Sequence, residues 1–143
     1  MTTPDIHPSP EEFAALAGQH RVVPVWTELV ADSETPVTAF AKIAGQDEPA
    51  FLFESAEQDE KSGRYSILGA GAEREFVARG SQFEIRQGAR VIRSGQADDP
   101  LAELEGEMAG LSAPMGFPHF SGGCIGYLSY DAIRYFEPTV PPA

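Results

Sequence analysis

Three times in this chain a residue suited to capping a helix stands directly before a proline that opens a run of helical apolar spacing: Ser9–Pro10, Thr35–Pro36 and Asp99–Pro100. Proline holds its own φ near the helical value and has no N–H to leave unpaired. It also pushes the preceding residue into extended backbone. Each pair therefore places a helix start within a residue or so. At the first, Glu11 and Glu12 fill the opening turn and Glu12 falls three residues after Ser9, the spacing of a capping box. Phe13, Leu16 and Ala17 give this helix one apolar face, and Gly18 stops it. The second reads TPVTAFAKIAG and ends before Gly45. The third is capped by Asp98 or Asp99 and carries Leu101, Leu104, Met108 and Leu111 along one face.

Between these helices the apolar pattern shortens to runs of strand length. Arg21 to Val30 is rich in β-branched and aromatic residues, with Pro24 marking its first part as an edge. Ala50 to Glu54 reads as a short apolar strand. Tyr65 to Leu68, Glu75 to Ala78, Gln82 to Arg86 and Arg90 to Arg93 follow, the last two joined by QGAR with Gly88 as a turn residue. Gly122 to Tyr130 is an apolar strand punctuated by glycine, and Asp131 to Glu137 a short helix. Helices and strands alternate irregularly with hairpins among them, which points to an α+β fold of mixed and antiparallel strands with a few helices. Met1 to Pro8 (1–8) is expected to be disordered, 9–137 to form one domain, and PTVPPA (138–143) to be a linker or a truncation point.

At 143 residues the chain is long enough to bury roughly two-thirds of its unfolded surface. Its net charge of −12 opposes binding to nucleic acid or an anionic membrane, both of which need clustered Lys and Arg. Six of the ten basic residues lie between Arg64 and Arg93, spaced as on the exposed face of a sheet. The single cysteine, Cys124, excludes an internal disulfide and a thiolate metal cluster, and its apolar surroundings predict a buried thiol. No segment has the composition of a signal peptide or a membrane span, so a cytoplasmic protein is expected.

Catalytic patterns are missing. His7, His20 and His119 are far apart and have no partner at helical spacing for a metal. The glycines at 122, 123 and 126 match neither a dinucleotide fingerprint nor a phosphate loop. Ser129 has no histidine in useful context, and no nucleophile–base pair is apparent. The densest acidic spot is Glu54, Glu57, Asp59 and Glu60. Such a run is usually a solvated loop. Glu54, at a strand end beside Ser55, is also suited to accept hydrogen bonds from an amino group.

Three longer stretches carry a resemblance. FLFESAEQDEKSGRYSILG, from Phe51 to Gly69, is similar to the segment of anthranilate synthase large subunits in which an L-L-E-S-like run precedes G-R-Y-S-F-I-G. GGCIGYLSYDAIRYFE resembles the later G-G-x-x-G-Y-x-x-Y-D-x-x-R-x-x-E of that family, and VPVWTELVADSETPVTAFAKI resembles its first strand and T-P-V-x-x-F helix. Order and spacing together make the match specific from about Val22 to Glu137. The large subunit of aminodeoxychorismate synthase is expected to share the fold and the G-G-x-x-G-Y segment, and a stand-alone amino-acid-binding module is a further alternative. The Phe53–Glu54–Ser55 run favours the anthranilate enzyme.

The resemblance implies an N-terminal, regulatory and scaffolding part of a chorismate-utilising lyase of tryptophan biosynthesis. In that family chorismate receives an amino group from ammonia, supplied by a glutamine amidotransferase (glutaminase) subunit, and loses pyruvate. The reaction uses magnesium, held with the catalytic histidine in a later chorismate-binding part. No catalytic or metal residue is therefore assigned within this chain, and no cofactor of its own. L-Tryptophan is the family's feedback inhibitor. The residues matching its site are Glu54 and Ser55, with Leu52 or Phe53 lining the indole slot while the other enters the core, and Lys61 or Arg64 as the basic partner. The expected partners are the chorismate-binding part of the same subunit, the glutaminase and tryptophan.

Overall fold

All three proline-marked helices form where the caps place them. The computed structural model describes residues 4–46, 48–54, 65–114, 123–137 and 139–141. Helix α1 spans Pro10–Ala17. The Glu12 N–H donates to Ser9 Oγ at 3.3 Å and the Ser9 N–H to Glu12 Oε2 at 2.9 Å, which completes the capping box. Helix α2 spans Pro36–Ile43, and there Thr38 takes the reciprocal role. Its N–H donates to Thr35 Oγ1 at 3.2 Å while the Thr35 N–H donates to Thr38 Oγ1 at 2.9 Å. Helix α3 spans Pro100–Ala109, and Asp99 is its cap, its carboxylate accepting from the Leu101 N–H at 3.0 Å.

The chain divides into two compact units, Met1–Leu29 with Ala78–Phe83 and Ser94–Ala143, and Val30–Val77 with Glu84–Arg93. In the second, strand β1 (Ala50–Phe53) pairs antiparallel with β2 (Ile67–Ala70), and α2 lies against both. The register runs from Ala50 opposite Ala70 to Phe53 opposite Ile67. A two-stranded ladder is marginal in water, so the helix laid on it supplies the burial that the pair lacks.

Strands β3 (Glu75–Arg79), β4 (Gln82–Gln87) and β5 (Arg90–Gln96) form a second sheet in that order, contributing to both units. Two residues join each consecutive pair, a connection only antiparallel strands allow. Gly80 and Gly88 open the turns with φ of 58° and 56°, and no other residue type among those described has positive φ. That is the signature of type II′ turns, whose first central position suits glycine. Phe83 and Ile85 point to one face of the central strand and are each only 4% exposed. A Cβ on Gly95 would stand 2.9 Å from two atoms of the Phe83 ring, so the ring lies directly on the glycine. Fold class and hairpins agree with the α+β expectation.

Two expected strands do not form. In Arg21 to Val30 only Trp26 pairs, in an isolated bridge to His7. Pro24 removes a donor in mid-segment, and Val25, Leu29 and Val30 remain exposed. His7, in the stretch read as disordered, is held there by backbone bonds of 2.8 and 2.7 Å and by ring stacking on Trp26 at 4.7 Å. Gly123 to Ser129 likewise joins no sheet; Gly123 has a φ of 148° and Tyr127 is 92% exposed. Cys124 is exposed, which corrects the expected burial: its segment pairs with no strand among the described residues. A 3-10 turn, Tyr130–Ala132, then leads into α4 (Ile133–Phe136). The Tyr135 hydroxyl donates to the Gly80 carbonyl at 2.7 Å and ties α4 to the first hairpin turn. No helix among the described residues is long and apolar enough to cross a membrane.

Two measurements check this account. Phe83→Ala empties a buried ring site and should cost about 3–5 kcal/mol in urea unfolding. At α2, Lys42 and then Thr38 hold the Glu34 carboxyl below its usual value of 4.5. A lowered folded value means that this stabilisation is complete above pH 4.5 and is lost as pH falls through the folded value. The Thr38 and Lys42 amide resonances should therefore stay constant on acidification to about that pH and move below it. Glu34→Gln should abolish that movement.

Candidate functional site

Strand alternation sets the chemistry of β1. Phe51 and Phe53 share one face and Leu52 takes the other. The two rings stand 5.4 Å apart at 40°, within the range of a tilted aromatic pair. Opposite Phe51 is Gly69, and a Cβ there would come within 2.6 and 2.8 Å of the Phe51 ring. Phe51 thus lies across β2, while Phe53, at the end of the ladder, is 52% exposed. Glu54 follows immediately outside the strand, with its side chain exposed. An apolar ring and a carboxylate are adjacent in the chain at one end of β1.

Of the sequence-predicted site residues, the structure places Leu52, Phe53 and Glu54 together on this strand end. Ser55, Lys61 and Arg64 lie outside the described residues, as does His119. Sequence reasoning did not single out Phe51 or Gly69 as a pair. Their meeting depends on the β1–β2 register, and the segment 54–66 between the strands carries no two-residue turn from which to count it.

A second feature was also missed. At the opposite end of the ladder a cleft of about 390 Å3 is lined by Glu48, Pro49, Gly71, Ala72, Glu75, Gly88 and Ala89. It is made from the chain entering β1, the chain leaving β2 and the β4–β5 turn. Among the described residues that line it, the side-chain polar groups are the carboxylates of Glu48 and Glu75. Leu52, Phe53 and Glu54 take no part in it.

Magnesium is what the resemblance implies for the complete enzyme. Among the described residues no three His, Cys, Asp or Glu side chains converge.

No family model matches the chain. Curated proteins do. It is 38% identical over 134 residues to anthranilate synthase component 1 of Mycobacterium tuberculosis, covering 90% of this chain and 26% of that protein. It is 35% identical over 138 residues to the probable anthranilate synthase component 1 of Schizosaccharomyces pombe, covering 94% and 25%. Anthranilate synthase component 1 of Streptomyces coelicolor is 41% identical over 125 residues, covering 87% and 21%. The chain spans a quarter or less of the length of the last two relatives, and 26% of the first.

Proposed function

Because this chain belongs to the family of anthranilate synthase component 1, as an N-terminal portion of it, we propose that it is the part through which tryptophan regulates the large subunit. The complete enzyme forms anthranilate from chorismate and ammonia in the cytoplasm, with a glutaminase subunit supplying the ammonia and magnesium in the chorismate-binding part. This portion contributes the β1 end of the inhibitor pocket. The observation that carries the reading is the half-exposed Phe53 ring next to the exposed Glu54 carboxylate at the end of an ordered strand.

An amino-acid inhibitor needs an acceptor for its ammonium, donors for its carboxylate and an apolar slot for its side chain. Glu54 supplies the acceptor in a charge-assisted bond. Ser55 donates or accepts beside it, and Lys61 or Arg64 faces the ligand carboxylate. Phe53 meets the indole, and Leu52 faces away from it. The effector shifts an equilibrium between enzyme states and does not touch the chemistry.

The remainder of the subunit covers the apolar surface of Tyr127, Leu128, Tyr130 and Phe136, since exposed apolar patches of this kind mark contact sites. The isolated chain is then expected to form no anthranilate and to self-associate. Anthranilate fluorescence and light scattering at rising concentration check these two points. Turnover that survives repurification contradicts the first, and a strictly monomeric species contradicts the second.

In the complete subunit, Ser55→Ala should weaken tryptophan inhibition while uninhibited turnover stays near wild type. Loss of one hydrogen bond to a charged ligand group costs about 1.5–3 kcal/mol, or roughly 10- to 150-fold in inhibition constant. Glu54→Gln keeps the shape, removes the charge and should act in the same direction. Inhibition curves beside thermal melts decide the matter: unchanged sensitivity in both variants at wild-type stability refutes the assignment.

A further inference from the structure

Resting on that reading of the β1 end, we infer that Phe51 and Gly69 are a positioning pair that sets the Phe53 ring and so tunes the site for a bicyclic aromatic amino acid over a monocyclic one. Gly69 stands opposite Phe51 in the ladder and contributes no side chain. The Phe51 ring occupies the vacant space, approaching to 2.6 Å from where a Cβ would be. It therefore lies down across β2. Phe53, two residues along on the same face, tilts at 40° to it with 5.4 Å between ring centres. Phe53 keeps about half of its surface open.

The consequence is mechanical. A methyl group at position 69 forces the far edge of the Phe51 ring off β2. The ring is the flexible end of a side chain, so the backbone has no need to move. The Phe51 ring is paired with that of Phe53, and a displaced Phe51 changes the tilt at which Phe53 meets a ligand. A large flat ligand loses more contact from such a tilt than a small one. Neither Phe51 nor Gly69 needs to touch the ligand.

The test uses the complete subunit with ammonia as nitrogen donor. Inhibition constants are measured for tryptophan and for phenylalanine in wild type, Gly69→Ala, Phe51→Leu, Phe51→Ala and the double variant Phe51→Ala/Gly69→Ala, alongside kcat/KM and melting temperature. Gly69→Ala should raise the tryptophan constant roughly two- to tenfold, the range of one aromatic contact. The phenylalanine constant should rise less, and kcat/KM should stay unchanged. Phe51→Leu, which keeps apolar bulk without a ring, should give the same loss of discrimination. In the Phe51→Ala background Gly69→Ala should add nothing, because the methyl group then meets no ring.

Equal loss for both inhibitors, additive effects in the double variant, or wild-type discrimination in Gly69→Ala and Phe51→Leu each overturns the inference. Should Gly69→Ala not fold, Phe51→Leu alone decides it. If wild type is insensitive to tryptophan, or Ser55→Ala and Glu54→Gln keep full sensitivity, the regulatory reading itself fails. If those two variants lose inhibition while the Phe51 and Gly69 variants keep wild-type discrimination, only the positioning pair fails.

Discussion

A phenylalanine ring laid on a glycine of the neighbouring strand occurs in both sheets: Phe51 on Gly69 and Phe83 on Gly95. The remaining structure depends on these contacts because the sheets are so narrow. One has two strands and the other three, and the fully buried apolar residues among those described are few. A strand glycine costs about 0.5–1 kcal/mol relative to alanine. A phenylalanine buries about 150–250 Å2, worth about 4–6 kcal/mol at most on the usual area scale. Even after discounting for a compact unfolded state, the ring outweighs the glycine. Alanine at either glycine would force the ring off its seat.

The same comparison explains what was legible in the sequence. Helix starts were readable to the residue because a cap and a proline act on their own neighbours. Only the choice between Asp98 and Asp99 stayed open, and the Asp99 bond to the Leu101 amide resolves it. The hairpin at Gly88 was readable because a two-residue turn fixes its own register. Arg21 to Val30 and Gly122 to Tyr130 show the opposite case. Their composition suits strands, but a strand exists only with a partner, and pairing is decided by distant residues. Trp26 finds a single bridge to His7, and Gly123 to Ser129 finds no sheet.

At the candidate site the boundary falls in the same place. Leu52, Phe53 and Glu54 were named from the family resemblance of their segment, and the structure places them next to one another at the end of β1. Phe51 over Gly69 could not be named, because the two residues meet across a ladder whose register has no local marker. The acidic cleft at the other end of the ladder draws on three separated segments for the same reason. Residues that define a chemical group are legible one at a time. Residues that set another's orientation become visible only once the register is known.

Electrostatics then bears on which kind of ligand the β1 end favours. A chain of net charge −12 repels anions at long range, and a purely anionic ligand would meet that field everywhere. At physiological ionic strength, however, the Debye length is about 8 Å, so distant surface charges are largely screened. The groups within one such length of Glu54 matter more than the total. Lys61 and Arg64 are the basic residues nearest to Glu54 in the sequence. On the proposed reading a zwitterionic amino acid suits this arrangement better than a simple cation or anion does. Its ammonium pairs with Glu54, its carboxylate takes Lys61 or Arg64, and its zero net charge leaves it indifferent to the acidic remainder of the surface.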